Sequence, residues 1–89
     1  MNNIELLHNA IYRLHGCEAV HIETILVQES FEGKVASERE VELFELSGPQ
    51  EARQCYAWTQ QEADGSDRHY AVLKTPPIDS AVAALRQVN

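Results

Sequence analysis

Two extended segments of nearly equal length, Glu18 to Phe31 and Lys34 to Leu46, are separated only by Glu32 and Gly33. The first is rich in Val20, Ile22, Thr24, Ile25 and Val27, β-branched residues that suit a pleated strand. The second alternates charge with apolar side chains through Glu40-Val41-Glu42-Leu43. A glycine in so short a connection supplies the positive φ of a tight hairpin turn, so the two segments pair antiparallel. A two-residue loop sets Ile22 opposite Leu43 and Thr24 opposite Val41, grouping Val20, Ile22 and Leu26 with Val41 and Leu43. A three-residue loop with Gly33 as a bulge shifts the pairing by one and exchanges the faces. The two-residue register is preferred. The apolar phase slips from Ile22 to Ile25 and from Leu43 to Phe44, which predicts a bulge or strong twist midway.

The flanking segments complete the order. Ile4, Leu7, Ile11 and Leu14 make one stripe of a helix over Asn3 to His15, widened by Leu6 and Ala10. Asn2 or Asn3 caps it, Glu5 sits in its first turn, and Gly16 ends it. Ser47-Gly48-Pro49-Gln50 is a turn, followed by a strand over Ala52 to Gln60. Asp64-Gly65 marks a second hairpin turn, and His69 to Lys74 is the fourth strand. Thr75-Pro76-Pro77 ends it, because both residues preceding a proline are pushed into extended geometry. A last helix begins between Ile78 and Ala81, capped by Asp79 or Ser80, with Ile78, Ala81, Val82, Leu85 and Val88 as its stripe. Every link between strands is short. The expected fold is therefore α+β: a helix, a four-stranded antiparallel meander and a helix, with both helices packed on one sheet face.

The 89 residues leave room for a single domain, 1–89. With 44% hydrophobic residues and seven Gly plus Pro, the chain is neither disordered nor low-complexity. No apolar run nears the roughly 20 residues that span a bilayer, and Met1-Asn2-Asn3-Ile4-Glu5 lacks the features of a secretory signal. Two cysteines, Cys17 and Cys55, are too few for a disulfide scaffold, so a cytoplasmic protein with free thiols is expected.

The charge is unevenly placed. Residues 18–51 carry nine glutamates against Lys34 and Arg39, which accounts for the whole formal net charge of −7. A phosphate backbone needs Lys and Arg clusters that this chain lacks, and anionic membranes are disfavoured by the same repulsion, so neither nucleic acid nor membrane is an expected partner. A basic partner protein or a divalent cation is permitted. Glu38, Glu40 and Glu42 alternate and should form a solvated acidic face of the second strand.

Few residues are spaced for chemistry. His15, Cys17 and His21 lie close in sequence but have no fourth ligand at a recognisable spacing, so no metal is expected. Cys55 and His69 fall on opposite faces if Asp64-Gly65 is a two-residue turn, which removes them as a catalytic pair. No phosphate-binding loop or dinucleotide fingerprint occurs, so no cofactor and no enzyme activity are expected. That same turn lines one face with Tyr56, Trp58, Ala71 and Leu73 and the other with Cys55, Ala57, Tyr70 and Val72. Both faces are apolar, and two helices on one side leave the other to be covered by a second copy of the chain, a ligand, a peptide or the twisted first hairpin itself. The expectation is a small non-enzymatic interaction domain, a homodimer joined through Cys55, Ala57, Tyr70 and Val72. The alternative is a ligand-binding module using Tyr56, Trp58 or Tyr70 at the uncovered face.

The helix–strands–helix order is similar to that of the double-stranded-RNA-binding domain, which has three strands between its helices. That family places lysines at the start of its last helix, where this chain has Ile78-Asp79-Ser80-Ala81, so the RNA function is not carried over. The stretch from Phe44-Glu45-Leu46-Ser47-Gly48-Pro49 through Cys55-Tyr56-Ala57-Trp58 to Pro76-Pro77-Ile78-Asp79-Ser80 resembles a family of short uncharacterised bacterial proteins. The resemblance spans most of the chain and implies no activity or catalytic residue.

Overall fold

A computed structural model describes residues 3–48 and 52–88, with side chains for all of these except 29–31, 35–37 and 88. Asn2, Pro49, Gln50 and the side chain of Val88 lie outside it. The elements are α1 (Asn3–His15), β1 (Glu18–Phe31), β2 (Lys34–Ser47), β3 (Gln54–Gln61), β4 (Asp67–Leu73) and α2 (Ala81–Val88). The strands form an antiparallel meander in the order β1-β2-β3-β4, leaving β1 and β4 as edges. No described helix is long and apolar enough to cross a membrane.

The local signals act as the residue types dictate. Gly16 takes a φ of +68° and its N–H donates to the Tyr12 carbonyl at 2.8 Å, closing α1. Ser80 is the cap of α2: its hydroxyl accepts from the Ala83 N–H at 3.2 Å. Glu32 and Gly33 have φ of 52° and 78°, the two positive values of a type I′ turn, and they join Phe31 to its partner Lys34. The turn is thus the two-residue one. Between it and the strand base the pairing is irregular twice, at Glu29/Ser30 and at His21/Glu23. One shift leaves Ala36 of β2 unmatched and the other leaves Ile22 of β1 unmatched. Between these bulges Thr24 faces Glu42 and Ile25 faces Val41. The grouping of Val20, Ile22 and Leu26 with Val41 and Leu43 is therefore overturned, and those three side chains are exposed instead.

The helices lie on opposite sheet faces, which corrects the expectation that both pack on one. Side chains alternate across a strand, and consecutive β3 residues enter different cores. Cys55 and Ala57 pack with Leu7 and Ile11 of α1, together with Phe44, Leu46, Ala19 and Cys17. Tyr56 and Trp58 pack with Ala81, Ala84 and Leu85 of α2, together with Val27, Val41 and Leu43. A short C-terminal helix thus covers the face that the sequence reading left bare. Ala84, outside the stripe expected for this helix, is buried, while Val82, placed on that stripe, is exposed.

Cys17 and Cys55 are free buried thiols. Burial pushes the Cys55 thiol up to about 12 from 9.0, and charge on neighbouring Cys17 adds to the shift. An unfolded chain loses that proton near pH 9.0, while the folded chain holds it to about 12. Stability is therefore fully present below pH 9.0 and falls as pH rises toward 12. Iodoacetamide at pH 8 should leave Cys55 of the folded protein unmodified and label it in urea, with mass spectrometry as the readout. Labelling of Cys55 at a free-thiol rate without urea would contradict its burial.

Candidate functional site

Helix α1 lies across its sheet face so that Leu7 and Ile11 enter the core while Ile4, Glu5, His8 and Asn9 overhang β1. Beneath them β1 offers Ala19, too small to fill the space, and His21. The result is a cleft of about 450 Å³ lined by Ile4, Glu5, His8, Asn9, Ala19, His21 and Phe44. Among the described residues no strand lies on the outer side of β1, so the cleft sits beside an unpaired edge.

The polar groups around the cleft have defined partners. The His21 ring stands edge-on to Phe44, with centroids 5.4 Å apart and planes at 63°. Behind it lies Glu42, only 3% exposed. The Thr24 hydroxyl donates to both Glu42 carboxylate oxygens, at 2.9 Å to Oε2. His21 Nε2 stands 3.5 Å from the same oxygen. A buried carboxylate without partners would be prohibitively costly, and these two groups are what this one has been given. At the mouth, His8 Nε2 lies 3.6 Å from Glu18 Oε2. No lysine or arginine lines the cleft. Its floor is apolar and its rim is rich in acceptors, a combination that suits a cation carried on an apolar stem. No Ser, Thr or Cys is among the lining residues.

The structure redistributes the residues singled out in the sequence. The loop between β3 and β4 is not a two-residue turn. Gln61 pairs with Asp67 around a five-residue loop, closed by the Glu62 N–H donating to the Ser66 carbonyl at 2.7 Å. The Asp64 carboxylate accepts from both the N–H and the hydroxyl of Ser66, which holds its pKa below the usual carboxylate range. This loop sets Trp58 opposite Tyr70 and Ala57 opposite Ala71, one residue from the expected register. Cys55 and Ala57 therefore face α1, while Tyr70 and Val72 face α2. The four residues proposed as one interface never share a surface. Tyr56 and Trp58 are not at an open face either: both are buried beneath α2, where Trp58 stacks on Tyr70 at 5.4 Å. Tyr70 donates its hydroxyl to Glu62, which raises its pKa.

Other candidates also move. Glu38 and Glu40 are exposed as expected, but Glu42 is not part of a solvated acidic row. It shares the α1 face with Ala57, its partner on β3. His69 shares the face of Cys55 after all, yet it pairs with Thr59, four residues and about 13 Å along the strand. Its Nδ1 lies 2.9 Å from the Thr59 hydroxyl. His15 donates from Nε2 to the Ala71 carbonyl at 2.9 Å, and the Cys17 thiol donates to the His15 carbonyl at 3.4 Å. Among the described residues no three His, Cys, Asp or Glu side chains converge as a metal site.

Sequence reasoning passed over His8 and Asn9, and named Glu5 only for its place in the first turn of the helix and Phe44 only for the phase of its strand. One signal was present: His8 lies one helical turn after Ile4 and Glu5, beside the buried stripe rather than opposite it. Compared with models of known families, with curated proteins and with solved structures, the chain matches none of them.

Proposed function

We propose that the chain is a non-enzymatic interaction domain that docks a basic, extended segment of a partner protein along β1. The observation that carries this reading is the state of the two sheet edges. Strand β1 runs for 14 residues with β2 as its only neighbour among the described residues, and Val20, Ile22 and Leu26 are 66%, 44% and 53% exposed. The other edge is shorter and blunted, because His15 of α1 sits on the Ala71 carbonyl of β4. Long open edges recruit strands. Exposed Glu18, Glu23, Glu38, Glu40 and Glu45 surround this one, while Arg39 is engaged with Gln60 at 2.6 Å. The field therefore favours a cationic strand. Free buried thiols at Cys17 and Cys55 fit a reducing compartment such as the cytoplasm.

A homodimer through the same edge is the second reading. It would set the glutamates of two β1 strands against one another, at a cost in like-charge repulsion. The test is a blocked peptide alternating valine with lysine, titrated into isotope-labelled protein and followed by amide NMR. Shifts should concentrate on β1, weaken with added salt, and be absent for the matching valine–glutamate peptide. Equal binding of both peptides, or shifts elsewhere, would overturn the proposal. So would sedimentation as a dimer at tens of micromolar.

A further inference from the structure

We infer that the cleft between α1 and β1 is the pocket for one cationic side chain of the docked segment, with an alkyl stem and an ammonium or guanidinium head. The inference rests on the docking proposal and adds what gives it selectivity. An added strand contributes affinity through its backbone, and pockets for its alternate side chains contribute specificity. Ala19 and His21 point to the same side of β1, and the cleft lies directly above them, under the overhang of α1. A side chain from a strand placed beside β1 enters the cleft from its open flank.

The lining selects the chemistry. Ile4, Ala19 and Phe44 are the apolar part of the lining, and the cleft's roughly 450 Å³ accommodates the largest natural side chain. Glu5 and Asn9 lie on its helix wall, and Glu18 is held at its mouth by His8. Buried Glu42 stands behind His21 and adds negative potential from below. No lysine or arginine lies in the wall, where Glu5 supplies a carboxylate, and the donors an anionic head would find are limited to the imidazoles of His8 and His21 and the Asn9 amide.

The probe is n-butylguanidinium chloride, with n-butanesulfonate as the anionic control, titrated into the labelled full chain at fixed ionic strength. Saturable amide shifts at Ile4, His8, Ala19 and His21 are expected with the cation and not with the sulfonate. His8→Lys puts an ammonium into the cleft from a half-exposed helical position that tolerates lysine, and should weaken the cation at least about 10-fold. Non-saturating shifts, equal response to the sulfonate, or unchanged affinity in His8→Lys overturns the pocket. The peptide experiment separates the two proposals. Peptide docking on β1 without a cleft response removes the pocket and leaves the docking. A cleft response without peptide docking removes the strand partner and leaves a cation pocket.

Discussion

Replacing Trp58 with alanine should cost about 3–5 kcal/mol of folding stability, a large part of what a domain of this size possesses. The indole is 1% exposed and is packed between Tyr70 and the residues of α2. Its removal leaves a cavity that α2 cannot close, because Val41, Leu43 and Tyr56 are already fixed by the sheet ladder. Far-UV circular dichroism during urea unfolding measures the loss without relying on the missing fluorophore. Trp58→Phe makes the argument sharper. The Nε1–H is buried without a hydrogen-bond partner among the described residues, so deleting it forfeits no bond there and relieves an unsatisfied donor. The phenylalanine variant should therefore lose much less than the alanine variant. A loss below about 1 kcal/mol for Trp58→Ala, or equal losses for the two, would contradict the packing described.

Ala84→Asp should detach α2 from the sheet. An eight-residue helix has too few turns to persist alone in water, so packing holds it in place. Ala84 is fully buried against the sheet, and an unpaired carboxylate there costs several kcal/mol. The expected result is red-shifted Trp58 emission and a much lower urea midpoint. The control is Val82→Asp, two residues away on the exposed side of the same helix, which should stay within about 0.5 kcal/mol of wild type. If the two variants behave alike, α2 does not pack as described.

The elements were legible because each carries its own punctuation. The α1 boundaries, Asn3 and His15, follow from the apolar stripe and Gly16, and the meander follows from short links. Faces were not legible, because they depend on counting loop residues. Reading Asp64-Gly65 as the whole turn, instead of a five-residue loop held by Ser66, moved β4 by one position. That single step transferred Tyr70 and Val72 from the core of Trp58 to that of Cys55. The sequence did announce apolar content on both faces of β3 and β4. The resolution was one helix per face rather than a missing partner. The cleft was hidden for a similar reason. Glu42 looked like one of three alternating surface acids, but the bulge at Ile22 and the reach of α1 bring His21 and Thr24 over it while Glu38 and Glu40 stay in water.

Consecutive residues of β3 serve different masters. The side chains on the α1 side and those on the α2 side point to opposite faces and belong to separate cores. Changes in one core that share no partner with the other are expected to add rather than couple. The protein therefore holds two ledgers of variation in one short chain. Substitutions around the cleft can accumulate and be selected for a partner, while the layer under α2 keeps the fold intact without having to respond.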